Sequence, residues 1–437
     1  MKNCKNILSV VCLIFLVLLC VSCKDKTADT VSEVTTEPET GIDNSDTSGT
    51  SDTSGTIDSA GSAVTSAGES AANTADSHTG GTTEINTKST AQTSQTPQTS
   101  TAPPQTAAII KSSSGQKYYS FLTGLECTQS EQRKRPVAIM IDNIKAAMPN
   151  VGISKADIIY ECTVEGGQTR LMMVLTDYEK VPAIGAVRSS RDYYIDLSQG
   201  HDAVYVHAGG SIMAYDEFNK RTVDHIDGVN PVNGRTFPNT YYRDAQRRKT
   251  MDLEHTLMTS GPGIAAGIKQ AKYRTVLKTG YNGEFKFNMQ IKDPGGTNNT
   301  ANYVAVPYSK SFKPEFIYNP ADKLYYRKQF GVAHIDGATG EQIKFENVIV
   351  MFAEYTDLKM SKGELACNLT GDGYGFYISN GKYTVIKWKK ATRDGVLNFV
   401  NLDGSDLYLN PGKSFICVTS KAYNKSVVIN ADIKNVK

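Results

Sequence analysis

VAIMID, residues Val137 to Asp142, is a run of five apolar residues closed by one carboxylate, and the segments after it repeat the layout. ADIIYECTV (Ala156 to Val164), RLMMVLTD (Arg170 to Asp177), AIGAVR (Ala183 to Arg188) and AVYVHA (Ala203 to Ala208) are likewise short apolar runs bounded by polar turns. That pattern predicts buried strands. Helical patterns with start signals lie between and after them: Ser189-Ser190 ahead of RDYYIDLSQ, Ser211 ahead of IMAYDEFNK, and Ser260-Gly261-Pro262 ahead of GIAAGIKQAKYR. Strands alternating with helices predict an α/β domain with a mixed sheet, placed at residues 115–278.

Toward the carboxyl terminus the period changes. FKFN, NYVAVPYS, EFIYN, KLYYRKQ, ENVIVMFAEY, YGFYISNGKYTVIKW and KSFICVTS alternate or run apolar, rich in Tyr, Val, Ile and Phe, and are broken by Asn-Pro, Asn-Gly and Asp-Gly turns. Residues 279–437 therefore read as a β-rich domain. Its clearest piece is a hairpin tipped by Asn380-Gly381. Gly371-Asp372-Gly373-Tyr374-Gly375 lies between strand patterns with no helix to follow, so it reads as part of a hairpin and not as a phosphate loop.

Toward the amino terminus, Lys2 and Lys5 precede an apolar run from Ile7 to Leu19, then Cys20-Val21-Ser22-Cys23 and the polar Lys24-Asp25-Lys26. The run is shorter than the roughly 20 apolar residues of a spanning helix and has the layout of a secretory signal, residues 1–22. Its end is similar to a bacterial lipobox, with Cys20 where leucine is usual. Cleavage before Cys23 would place diacylglycerol on its thiol, and two acyl chains anchor firmly. The expected address is the outer face of the cytoplasmic membrane. Residues 23–114 follow as a disordered Ser/Thr-rich linker. From Lys24 to Ser114 there is no Tyr, Trp or Phe, and four lysines stand against twelve acidic residues. Such a segment cannot bury a core.

Gly115 to Lys437 carries 41 basic and 33 acidic residues. The excess favours anionic partners, but it is modest for that length and is no nucleic-acid footprint. Cys127, Cys162, Cys367 and Cys417 lack CxxC spacing and nearby histidines, so no metal site is expected. Cys162 and Cys417 fall in strand patterns that suit buried free thiols. No GxSxG, HExxH, P-loop or dinucleotide fingerprint is present, and no cofactor is expected.

Two strand ends share one chemistry. AIGAVR leads into Ser189, Ser190 and Arg191, and YVHAGGS closes on His207, Gly209, Gly210 and Ser211. Strand ends, helix amino termini and guanidinium groups attract anions. The candidate anion site is therefore Arg170, Arg188, Ser189, Ser190, Arg191, His207, Gly209, Gly210 and Ser211, with Ser190 and Ser211 as helix caps. Asp142, Glu161 and Glu165, with His207 as partner, are the acid–base candidates. Each also has a plain structural reading: Arg188 and Arg191 could pair with Glu161, Glu165 or Asp192, and His207 could be a core histidine. The tetrapeptide HIDG occurs twice, at His225 and His334, and shared turn chemistry accounts for it. The basic stretch Arg243, Arg247, Arg248 and Lys249 could rim the same anion pocket or coat a solvated helix, and the solvated helix is the leading reading.

The ordered region resembles the YerB-like lipoprotein family, a domain of unknown function with N- and C-terminal parts. RPVAIMIDN (from Arg135), KADIIYE (Lys155), EGGQTR (Glu165), GAVRSSRDY (Gly185) and YVHAGGS (Tyr205) carry the resemblance in the first half. HIDGATGE (His334), NVIV (Asn347), GYGFYISNGK (Gly373), IKWKK (Ile386) and LNPGKSFI (Leu409) carry it in the second. Leu253-Glu254-His255-Thr256 departs from an expected Pro-His-Asn, which weakens any role for His255, and Phe415 stands where tryptophan is expected. The resemblance implies a lipid-anchored envelope protein of Gram-positive type and supplies no reaction. The leading expectation is a noncatalytic module that binds an anionic wall polymer or a membrane protein. The rivals are an envelope hydrolase acting on a phosphodiester or glycan, and a solute-binding lipoprotein.

Overall fold

The computed structural model describes residues 110–112, 115–295 and 299–431. The signal segment, Cys23 and the linker up to residue 109 lie outside the described residues. A strand, Ile110–Ser112, already pairs with Gly115–Tyr119, so strand structure begins inside the segment expected as linker.

One sheet of eleven strands organises the chain. Its members are β1 (Val137–Asp142), β2 (Ile158–Thr163), β3 (Thr169–Leu175), β4 (Val204–His207), β5 (His225–Asp227), β6 (Asn347–Asp357), β7 (Leu365–Asn368), β8 (Gly371–Ser379), β9 (Lys382–Lys390), β10 (Leu397–Val400) and β11 (Ser414–Ser420). The order across it is β10-β9-β8-β6-β11-β2-β3-β1-β4-β5, with β7 beside β6. The sheet is mixed, as expected: β6–β11–β2 and β1–β4–β5 are parallel, while β2–β3–β1 and β6–β8–β9–β10 are antiparallel.

β2 pairs with β11, Ile158 opposite Ser414, so the sheet crosses the expected boundary at 278 without a break. All described residues belong to one compact unit. The change of period along the chain marks a change of strand type and not a gap in packing. A second sheet of six strands, including Glu315–Asn319 and Leu324–Gln329, belongs to the later half, which is β-rich as expected.

The apolar runs are continuous because both faces of the sheet are covered. Val137, Ile139 and Ile141 of β1 enter one core, and Ala138 and Met140 enter the other. β6 and β11 divide in the same way: Val348 and Phe415 go to the first core, Ile349 and Ile416 to the second. Helices α1 (Asp192–Gly200) and α2 (Ile212–Lys220) pack into the second core through Tyr193, Tyr194, Leu197 and Ala214. Helix α3 (Gly261–Ala271) and the six-stranded sheet cover the first core with Ile264, Ile268, Phe316 and Tyr325. Ser211 and Ser260 cap α2 and α3 as their sequences foretell, accepting from the Ala214 and Gly263 amides. Asn380 and Gly381 both have positive φ at the hairpin tip, the geometry of a type I′ turn. Trp388 is buried and donates to the Phe352 carbonyl, a core role.

Candidate anion-binding site

β1 and β4 pair only over Val137–Ile139 and Val204–Val206. Beyond that point the segment Ala186–Ser190 runs between their carboxyl ends. The Asp142 amide donates to Ala186 O (2.9 Å), Arg188 N to Met140 O (3.0 Å), Ala208 N to Arg188 O (3.0 Å) and Ser190 N to Gly209 O (2.9 Å). The crevice outside strand ends is where sheets of this kind take ligands. A cavity of about 320 Å³ opens there, walled by Arg188, Ser189, Gly209, Gly210, Tyr215, Val229, Asn230, Arg243 and Glu254 among others.

This corrects the reading of AIGAVR as one strand feeding a helix. Only Ile184–Gly185 is a strand, and it belongs to a separate three-stranded sheet with Leu257–Thr259 and Tyr241–Arg243. Hydrogen bonds from β1 and β4 hold the rest of the segment as a filler. The N-cap of α1 is Arg191 with no side-chain cap, so Ser190 does not cap. Its buried hydroxyl instead lies 3.0 Å from the Tyr205 hydroxyl.

Arg188 sits in a closed ring of ionisable side chains. Its Nε is 3.3 Å from Asp142 Oδ2 and its Nη1 2.9 Å from Glu254 Oε2. His255 Nδ1 lies 2.7 Å from the same Asp142 oxygen, and its Nε2 is 3.5 Å from Glu254 Oε1. Asp142 and His255 are buried, whereas the Glu254 side chain is 53% exposed and faces the cavity. The hydrogen bond from Arg188 holds the Glu254 carboxyl below the usual glutamate range. Arg243 also lines the cavity, donating to Leu253 O beside Glu254. Among the described residues, the Ser189 and Gly210 amides on this wall have no acceptor in the protein. Gly209 has φ +75°, a conformation that L side chains rarely adopt, and its amide is held by Asp227 Oδ1 at 2.8 Å.

The other expected site residues are not free for a ligand. Arg191 is taken by Glu165, with two contacts of 2.6 Å. Arg170 lies behind the wall, donating to Ser189 O at 2.8 Å, with no carboxylate in ion-pair distance among the described residues. Burial, with Arg191 and Arg188 adding repulsion, pushes its guanidinium down to about 10. It adds positive charge beneath the seam without touching the cavity. His207 is fully buried and stacked on Tyr205 and Phe218. Its Nδ1 donates to Gly209 O (2.8 Å), so its Nε2 must accept from His225 Nδ1 (2.9 Å). Burial keeps it neutral, and burial together with His207 pushes His225 down to about 3. His207 is thus the core histidine of its alternative reading.

The acid–base candidates do not meet. Asp142 joins His255, Glu165 joins Arg191, and Glu161 joins Arg327 at 2.9 Å with both side chains 0% exposed. Glu161 Oε1 also accepts from Asn143 Nδ2 and Thr169 Oγ1, each at 2.8 Å. Gln329 Nε2 donates to Asn143 Oδ1 at 2.9 Å, and Arg327 also donates to Gln329 and His334. This network welds the first half to the second in the dry space between the sheets. The two HIDG stretches share one device. Asp227 accepts from the Gly209 and Val229 amides, Asp336 from the Gly152 and Ala338 amides, so each ties its own turn to a distant glycine loop.

Sequence reasoning missed Glu254 and gave His255 no role, whereas Arg243 takes the rim position that was the second reading of its basic stretch. His255 lies 113 positions from Asp142, with no local pattern linking them. A larger cavity of about 500 Å³ opens beside Lys310, Lys313 and Tyr423. The lysines there belong to an exposed loop, and the one buried polar wall residue, Gln329, is already engaged by Asn143 and Arg327.

Family models assign residues 122–274 to the N-terminal domain, and 304–416 to the C-terminal domain, of a protein of unknown function, DUF3048. The chain belongs to the DUF3048 family. It is 28% identical over 322 residues to the "Putative lipoprotein YerB" of Bacillus subtilis (strain 168); the match covers 72% of this chain and 88% of YerB. The crystal structure of the YerB protein from Bacillus subtilis superposes with a TM-score of 0.62 at 25% identity, covering 72% of this chain and 100% of that one. The cavity residues Arg188 to Glu254 all fall in the N-terminal DUF3048 segment, whereas Glu161–Arg327 crosses from it to the C-terminal segment. Among the described residues no helix is long and apolar enough to cross a membrane.

Proposed function

We propose that the chain is a lipid-anchored protein of the outer face of the cytoplasmic membrane. In this reading it binds an anionic group of a wall polymer or membrane partner in the cavity between the ends of β1 and β4. The lipobox-like end at Cys23 and the likeness to YerB support the address. The observation that carries the binding is the cavity wall itself, where Arg188 and Arg243 face a common space with the unpartnered Ser189 and Gly210 amides. Amides and guanidinium groups fixed before the ligand arrives lower the ordering cost of binding an anion, and Glu254, which pairs with Arg188, is the group that must swing aside. The site reading is narrower than the sequence suggested: Arg191 and His207 support the wall and do not line it.

One fractionation experiment on cells expressing the full chain tests both parts. The Cys23→Ala variant is expected to leave the membrane fraction. The Arg243→Ala and Arg188→Lys variants are expected to remain there while their retention on purified wall material falls at least tenfold. Arg188→Lys keeps a cation beside Asp142 and so guards against simple unfolding. Full retention by both arginine variants would defeat the binding reading, and an unmoved Cys23→Ala variant would defeat the anchor.

A further inference from the structure

The cavity at Arg188 shares part of its wall with a neighbour. Val229, Asn230, Arg243 and Leu257 line it, and the same four residues line a second cavity of about 450 Å³. The far wall of the second cavity is Phe237, Pro238, Tyr241 and Tyr242, with Thr236 beside them. One end of the combined space offers two guanidinium groups and two unpartnered amides. The other end offers aromatic rings interspersed with side chains able to form hydrogen bonds. We infer that the two cavities are one groove for a sugar phosphate, with the phosphoryl group at Arg188 and Arg243 and the ring against Tyr242. The inference rests on the anion-binding reading above and adds the ligand's class.

Glu254 argues for a phosphoryl group over a carboxylate. It already supplies Arg188 with a carboxylate at 2.9 Å. A second carboxylate would replace like with like, and a ligand shifts an arrangement only by its differential affinity. A phosphate monoester carries up to two charges and three terminal oxygens, enough to engage both arginines and the amides together. Glu254 can give way, because its side chain is 53% exposed and sits on the three-residue turn Leu253–His255. Asp142 and His255 stay behind as the fixed half of the ring.

The second cavity argues for a sugar as the phosphoryl substituent. Tyr242 is 42% exposed on an edge strand and is one of the residues that line the second cavity. Tyr241 beside it has its hydroxyl within 3 Å of the His207 and Ile226 carbonyls, so its position is set by the core. Ligand sites are mainly apolar with a few placed polar groups, and here Asn230 and Thr236 stand among the rings. A sugar ring has C–H faces to lay on an aromatic ring and hydroxyls at its edge for those polar side chains.

Calorimetric titration of the full chain with glucose 1-phosphate, inorganic phosphate, glucuronate, glucose and adenosine monophosphate tests the inference. Glucose 1-phosphate is expected to bind at least tenfold tighter than inorganic phosphate or glucuronate, and glucose not to bind. Tyr242→Ala should erase that advantage and leave inorganic phosphate within twofold of wild type. Glu254→Gln should tighten inorganic phosphate several-fold. Equal affinity for glucose 1-phosphate and inorganic phosphate overturns the inference, as does equal affinity for glucuronate or tighter binding of adenosine monophosphate. So does a Tyr242→Ala variant that weakens both phosphates alike. If the arginine variants still lose wall retention, such results remove the ligand class and leave the anion site standing. If retention is also unchanged, both fall.

Discussion

Glu161–Arg327 and Asp142–Arg188 join the same two kinds of side chain, yet one is a dry strut and the other borders an opening. Glu161 lies mid-strand in β2 with the parity of Ile159, so it points at the six-stranded sheet, where Arg327 shares the parity of Tyr325. Covered from above and below, both are fully buried and Glu161 is satisfied on several sides. Asp142 is the last residue of β1, where the Ala186–Ser190 segment runs between the ends of β1 and β4 and a cavity opens beside its partner Arg188. The lesson concerns place in the sheet and not residue type. A carboxylate–arginine pair in mid-strand becomes structure, and one at a strand end has a free side for a ligand.

The largest test of that contrast is Arg327→Ala. Leaving Glu161 buried without its cation should cost about 3–5 kcal/mol in chemical unfolding, and a loss below about 1 kcal/mol would mean that the strut does not bind the halves together. Next comes pH. Burial holds His207, His225 and His334 below the ordinary histidine value, His225 at about 3. Unfolded histidines gain a proton near pH 6.5 while these folded ones resist it, so their stabilisation is complete above about pH 6.5 and is lost as pH falls toward the folded values. His225 alone should lower stability by about 2 kcal/mol between pH 7 and pH 5. Coincident urea midpoints at the two pH values would show that these rings open to solvent. The smallest effect belongs to the cavity rim. Glu254→Gln should change stability by less than about 1 kcal/mol, because a half-exposed ion pair is screened by water. A larger loss, read from the same urea curves, would make Glu254 a strut like Glu161.

Much of the architecture was legible. β1 spans the very residues of VAIMID, α2 those of IMAYDEFNK, and the Asn380-Gly381 hairpin falls where its turn chemistry puts it. AIGAVR misled because an apolar run specifies burial and not a ladder of its own. Here burial is met by hydrogen bonds to two strands that diverge around it. The site was half legible. Arg188, Ser189, Gly209 and Gly210 reach one cavity because two strand ends meet there, and local sequence marks strand ends. Arg243 ends a strand of the separate three-stranded sheet, and Glu254 and His255 lie on its connection to Leu257–Thr259, an approach that no spacing along the chain records.

By itself the sequence determined which segments bury, where helices start and where turns fall, because these follow from side-chain period, capping and φ preference within a few residues. It also supplied the signal-like start and the charge contrast between its two regions. Tertiary structure alone decided that one sheet joins both halves, that Arg191 and His207 serve the wall while Arg188 and Arg243 face the opening, and that Glu161 finds Arg327. Those outcomes depend on which buried groups meet, from 18 positions apart for His207 and His225 to 166 for Glu161 and Arg327, where each charge takes the nearest partner that the folded layers bring to it and the chain order imposes no rule.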